Sequence, residues 1–165
     1  MKRILTLGVL LLCLAATQTA HAAEDRDAKI KAEMVQNYLL REVAVKNKDA
    51  ERIISFESPE FKQVMQDGTV RTKAAADADT RLWTSRLRKV YHAKVTIKKI
   101  DVESHRVVIW SKRELDADIL ASGNPKGPQL PRIFVTITTR DIWVRYRDNW
   151  VLKRVENLTS KVTIV

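Results

Sequence analysis

The sequence predicts an α+β domain in which helices come first and a strongly bent antiparallel sheet follows. Two observations carry this reading. Apolar residues recur at helical spacing between residues 25 and 90, and from Lys94 onward the period changes to two. A third, the concentration of turn-forming pairs at Asp67-Gly68 and Asp148-Asn149, places the hairpins.

The first element is a helix over 25–47, with Ile30, Met34 and Tyr38 on one face and Val35, Leu39 and Val43 beside them. Asn47-Lys48-Asp49 breaks it, and Asp49 is a good N-cap for a short second helix over 50–56, closed by Ser58-Pro59. Phe61 to Arg71 reads as a short hairpin or turn around Asp67-Gly68. A third helix is expected from Thr72 to about Lys89, with Ala75, Ala78, Leu82, Trp83, Leu87 and Val90 facing inward.

Lys94–Val102 reads as a strand with a bulge at Lys98-Lys99, because the apolar phase changes between Ile97 and Ile100. Arg106–Leu115 is its antiparallel partner. The stretch ASGNPKGPQLP, residues 121–131, holds three of the four prolines and two of the four glycines, so it is a loop. A long hairpin then joins Arg132–Arg147 to Trp150–Val165. Its first strand changes phase, from Ile133, Val135 and Ile137 to Ile142, Val144 and Tyr146, which predicts a bend near 138–141.

With Asp148-Asn149 as the turn, Trp143 lies opposite Arg154, Arg145 opposite Leu152 and Arg147 opposite Trp150. On this register Trp143, Arg145, Arg147, Trp150 and Arg154 share an outer face where guanidinium groups stack on indoles. Such a face either shields an exposed sheet or forms an interface for a homodimer or an anionic partner.

The N-terminus, MKRILTLGVLLLCLAATQTAHA, has the three parts of a secretory signal: Lys2-Arg3, an apolar run, and Ala20-His21-Ala22. Cleavage is expected before Ala23, giving a signal peptide at 1–22, a single domain at 23–165 and a secreted or periplasmic protein. The apolar run falls short of the roughly 20 residues that span a bilayer, so no membrane crossing is expected after cleavage. Removal of Lys2 and Arg3 lowers the formal charge from +10 to +8 and takes away Cys13, the only cysteine. No disulfide framework is then available, and a chain of 143 residues (165 minus 22) must be held by an ordinary core.

Basic residues crowd the segment from Arg71 to Lys99. Outside the cytoplasm such a field suits an anionic envelope component or an acidic metabolite rather than a specific nucleic acid, or it serves solubility alone. His92 and His105 lack a second ligand at helical spacing, and the acidic trio Glu114, Asp116 and Asp118 lacks the glycine and terminal glutamate of a calcium loop, so no metal site is expected. No G-x-S-x-G and no phosphate-cradling glycine loop is present, so no cofactor is expected either.

Lys48-Asp49-Ala50-Glu51-Arg52, the FESPEF exit at 56–61, the Asp-Gly turn, the third helix and RDIWVRYRDNWVLKRV at 140–155 resemble the SnoaL-like branch of the nuclear-transport-factor-2-like superfamily. The resemblance implies a cone-shaped α+β fold whose long helix and curved sheet enclose a cavity. Its members include isomerases, cyclases and epoxide hydrolases, and also non-catalytic binding and dimerisation domains. Members that resemble ketosteroid isomerase carry a tyrosine on the first helix, matched here by Tyr38, and a carboxylate base on the strand after the second helix. That region is read here as Lys62-Gln63-Val64-Met65-Gln66, without a carboxylate. The pocket residues expected on this basis and at the phase changes are Tyr38, Trp83, Tyr91, Trp110, Arg140, Asp141 and Glu156. A small apolar or anionic ligand held without catalysis is the principal expectation; a cofactor-independent pocket enzyme and a structural adaptor are the alternatives.

Overall fold

The computed structural model describes residues 24–121, 128 and 130–164 in full, and only the helical backbone of 4–23. The expected leader and most of the loop at 121–131 therefore lie outside the described residues. The chain forms two compact units, Met1–Met34 and Val35–Val165. The first is the N-terminal part of helix α1; everything below concerns the second.

The elements run α1 (Ile4–Lys46), α2 (Ala50–Ile54), β1 (Glu57–Val64), β2 (Val70–Thr72), α3 (Lys73–Arg86), β3 (Leu87–Val102), β4 (Arg106–Ile119), β5 (Ile133–Tyr146) and β6 (Asn149–Ile164). Helices precede most of the sheet, as the α+β pattern requires. The six strands are ordered β2-β1-β6-β5-β4-β3. All neighbours are antiparallel except β1 and β6, which are parallel, so the sheet is mixed rather than wholly antiparallel as expected.

Local chemistry explains the breaks. Lys48 takes a left-handed φ of 57° just past α1, and the Asp49 carboxylate accepts the Arg52 N–H at 2.9 Å to cap α2. The Asp67-Gly68 hairpin forms between β1 and β2, with Gly68 at φ 85°. Thr72 caps α3 through the Ala75 N–H at 3.4 Å. That helix ends at Arg86, and the strand expected at Lys94 begins at Leu87, because Val90, Tyr91, Val95 and Thr96 favour an extended chain over another helical turn.

Two helical faces differ from expectation. On α1 the inward residues are Tyr38, Arg41 and Ala44, while Val35, Leu39 and Val43 are about half exposed. On α3 Ala76 and Thr84 are buried and Leu82 is exposed. With Ala at 74, 75, 76 and 78 the apolar arc of α3 spans most of the helix, so tertiary contacts select the buried side.

The bulge expected at Lys98-Lys99 is present: Ile97 faces Ser111 and Lys99 faces Trp110, leaving Lys98 over. The phase change expected inside β5 is absent. Thr139, Asp141 and Trp143 are all buried, so odd positions face inward along that strand, and the interior is simply polar at 139 and 141. The irregularities fall on β6 instead, where Lys153 and Leu158 are the extra residues. The β5–β6 turn also shifts. Tyr146 faces Asn149, Arg145 faces Trp150 and Trp143 faces Leu152, with Arg147 at φ 44°. A non-glycine residue there costs about 1–2 kcal/mol. Burying an indole, about 150–250 Å² at ~25 cal/mol per Å², returns about 4–6 kcal/mol. Trp143 therefore goes inside and the expected register yields.

Val35–Lys46 of α1, α2 and α3 cover the inward face. Leu87, Ala93, Leu115 and Ala117 form a buried cluster there, against which Val45, Val90, Ile119 and Val135 pack.

Candidate functional site

A cavity of about 240 Å³ lies between the covering helices and the inward face of the sheet. Val45, Ile53, Phe61, Ala93, Leu115 and Val155 give it apolar walls, and Trp83, Ala76 and Thr80 of α3 close another side. Its polar end is built by three elements of the lining. Tyr38 and Arg41 are one helical turn apart on α1, Glu57 opens β1, and Arg113 lies on β4 in the inward phase that also carries Ser111 and Leu115.

Asp141 organises this end. It is fully buried, and its Oδ2 accepts from the Tyr38 hydroxyl and from Arg113 Nη2 at 2.6 Å. Trp143 Nε1 donates to the Tyr38 hydroxyl oxygen at 3.3 Å, and the two rings meet at 5.7 Å with a tilt of 59°. The Arg41 guanidinium stands over the Trp143 ring at 6.0 Å. Asp141 Oδ1 and Arg41 Nη1 are both buried without a hydrogen-bond partner. Beside the network, Ser111 and Thr139 hydroxyls bond to each other at 2.9 Å.

The energetics are uneven. Burial first, then the Asp141 carboxylate, pushes the Tyr38 phenol far above its ordinary value, so it is a hydrogen-bond donor and not an acid in the accessible range. Burial and the neighbouring Arg113 charge lower the affinity of Arg41 for its proton. Burial acts the same way on Arg113, but Asp141 and Tyr38 outweigh it and the net shift is upward. Asp141 is thus bonded to Arg113, while Arg41 feels the charges of Asp141 and Glu57 through space, and Arg113 keeps 27% of its side chain accessible.

Glu57 is the second carboxylate of the cavity, with only 5% of its side chain accessible. Lys73 Nζ reaches its Oε2 at 3.3 Å and also bonds Asp77 at 2.9 Å. Burial raises the Glu57 carboxyl above its ordinary 4.5, and Arg41 and Lys73 oppose that rise only in part. A carboxyl whose folded pKa lies above its unfolded value favours the folded state most below the unfolded value, and this contribution is lost as pH rises through the folded pKa. Glu57→Gln cannot ionise. Its stability relative to the parent should therefore increase as pH rises from acid toward neutrality, which urea midpoints at the two ends check; a difference that does not change with pH sinks the assignment.

Of the expected pocket residues, Tyr38 and Trp83 line the cavity and Asp141 anchors its polar end. Trp110, Arg140 and Glu156 lie on the opposite face of the sheet, where they face one another across β4, β5 and β6. There Trp110 sits between Lys99 at 4.8 Å and Arg140 at 5.9 Å, and Glu156 is bonded by Arg140 at 3.1 Å and by Arg154 at 2.8 Å. Tyr91 is exposed, bonds Asp118 at 2.9 Å and is flanked by Lys89 and Arg132.

The expected outer-face set also divides. Trp143 is in the core. Arg145 stacks on Trp150 at 4.5 Å, Arg147 is in the turn, and Arg154 lies on the other face, opposite Ile142. Arg41, Glu57 and Arg113 were not anticipated. Helical spacing, Tyr38 plus three, was the signal for Arg41, and strand alternation from Ile109 was the signal for Arg113; charge hides both from an apolar-pattern search. Glu57 opens the strand after the second helix, four residues before the Phe61 start that the Asp-Gly turn signal suggests. That strand does carry a carboxylate.

Among the described residues no group of three or more His, Cys, Asp or Glu side chains could hold a metal ion, and no helix is long and apolar enough to cross a membrane. The acidic trio is engaged with cations or a phenol: Glu114 with Lys112, Asp116 with Arg132 and Asp118 with Tyr91.

No protein-family model matches the sequence, and no curated protein matches it. Solved structures do match in shape. A candidate scytalone dehydratase from Novosphingobium aromaticivorans superposes with a TM-score of 0.70 at 13% identity, covering 86% of this chain and 91% of that one. A hexachlorocyclohexane dehydrochlorinase, LinA type 2, gives 0.66 at 12% identity over 87% and 93%. A candidate dehydratase of the NTF2-like family from Streptomyces avermitilis gives 0.62 at 11% identity over 84% and 97%. Identity at this level speaks to fold and not to activity. The helices packed on a mixed, open six-stranded sheet, and the breadth of these superpositions, establish that the chain has the nuclear-transport-factor-2-like α+β cone fold.

Proposed function

We propose that this protein is exported and binds a small, largely apolar molecule with one anionic end in the cavity, without transforming it. The observation that carries the reading is the pairing of an apolar chamber with two neighbouring guanidinium groups, Arg113, which is bonded to Asp141, and Arg41, whose buried Nη1 has no hydrogen-bond partner. An anion entering beside them relieves the repulsion that burial imposes on Arg41. The volume of about 240 Å³ lies below the roughly 300–1,000 Å³ of drug-sized sites, so the ligand is small. Export is supported by the three-part N-terminal pattern.

The test pairs native mass spectrometry of the protein from its own host with calorimetry using 4-phenylbutyrate and its primary amide. The carboxylate should bind more tightly than the amide. Thr80→Glu, which puts a negative charge in the cavity wall away from the polar network, should weaken carboxylate binding by about tenfold or more while leaving the melting temperature nearly unchanged. Equal binding of acid and amide, or no effect of Thr80→Glu, sinks the reading.

One observation favours a second reading, a cofactor-independent pocket enzyme. Glu57 is a buried carboxyl with a raised pKa in the cavity wall, the form in which a carboxylate serves as a general base. The structural neighbours named for dehydration and dehydrochlorination lend it weight as analogy alone. The molecule recovered from native protein, returned to the parent and to Glu57→Gln, separates the readings: conversion by the parent alone selects catalysis.

A further inference from the structure

β6 is covered along only part of its length. Its partner on one side, β5, pairs with it as far as Ile133–Ile164, but β1 pairs with it only up to Val64–Glu156. Among the described residues no strand takes the other edge from Asn157 to Ile164, so a run of backbone N–H and C=O groups points outward. Side chains there are exposed on both faces from Leu158 onward, with Leu158, Val162 and Ile164 at 45%, 60% and 71%. Lys161 is the only charged residue between Asn157 and Ile164. Native sheets ordinarily blunt an edge with several charges, a proline or a covering element, since an open one templates pairing with another chain. The opposite margin of this sheet follows that rule: edge strand β3 carries Arg88, Lys89, Lys94, Lys98 and Lys99, and bulges besides.

We infer that the edge of β6 from Ser160 to Ile164 pairs with the same edge of a second copy of this chain, joining the two sheets antiparallel about a two-fold axis. The residues fit that occupant. Residues opposed across an antiparallel pair must point to the same face, so the two-fold axis passes through a residue. An axis at Lys161 opposes two ammonium groups and is disfavoured. An axis at Val162 opposes the two valines, sets Ser160 against Ile164, and places Lys161 opposite Thr163, a neutral residue. The strand is thus self-complementary in sequence and charge, whereas an acidic foreign strand would find only one cation to answer it. The inference is independent of what the cavity binds. The two surfaces are adjacent, however: Val162 faces Val135, and Val135 lines the cavity.

Sedimentation equilibrium of the native protein tests this. A dimer is expected, and Val162→Lys, which opposes two ammonium groups at the axis, should raise its dissociation constant by about a hundredfold. Val70→Lys, at an equally exposed valine on β2, should leave it unchanged. Lys161→Glu should also leave it nearly unchanged; a dimer strengthened or lost by that change overturns the proposed register. Far-UV circular dichroism and thermal midpoints of Val162→Lys should match the parent, since this side chain contributes little to the monomer core. A protein that stays monomeric up to its solubility limit, or a dimer indifferent to Val162→Lys, overturns the inference.

Discussion

Asp141→Ala should destabilise the folded state by about 3–5 kcal/mol, because it leaves the Arg113 guanidinium and the Tyr38 hydroxyl facing an empty, buried position. Arg41 would lose the same counter-charge, and two cations would then confront each other at the closed end of the cavity. Asp141→Asn keeps an acceptor of similar shape and should cost less. The decisive variant is the double replacement Asp141→Leu with Arg113→Met. Buried ion pairs replaced together by apolar residues are often neutral or even favourable, so it should recover much of the loss of the single change. Urea denaturation with unchanged slope is the measurement. A single-mutant loss under about 1 kcal/mol, the range of ordinary surface positions, contradicts the account.

Trp143→Ala should cost a similar amount, about 3–5 kcal/mol, for a different reason. The side chain has 0% exposure, and deleting it opens a void beneath Tyr38 and removes the ring under Arg41. It also takes the indole N–H from the Tyr38 oxygen. Trp143→Phe retains most of the volume and should lose less, in proportion to the missing hydrogen bond and the smaller ring. Had the indole stood on an exposed face, as the turn chemistry of Asp148-Asn149 implies, either change would be nearly silent. The experiment therefore decides between two registers of one hairpin.

That hairpin shows what the sequence makes legible. Existence and order of the elements follow from periodicity and turn residues, because these are local: Asp49 caps, Gly68 turns and Lys98 bulges where the chain says they should. Register is not local. It is set by whether an indole can be buried against a phenol 105 residues away that accepts its N–H hydrogen bond. The apparent phase change in β5 has the same root. Thr139 and Asp141 look like outward positions because they are polar, yet they point inward to meet Ser111, Tyr38 and Arg113. An apolar-alternation rule misreads a polar interior. Half of the candidate site was hidden this way, since Arg41, Glu57 and Arg113 are charged residues on buried faces, and only Tyr38, Trp83 and Asp141 were drawn to it by aromatic character or position.

The parallel pairing of β1 with β6 bears on how the chain assembles. β1 lies next to the first helical turns of this unit in sequence, but its place in the sheet is made by the last strand, so it has no neighbour except β2 until residues near 152–156 have been synthesised. Tyr38 likewise waits for Asp141. Closure of so long a loop is slow relative to forming the helices. A nascent chain of this design stays incomplete until its last strand has emerged from the ribosome.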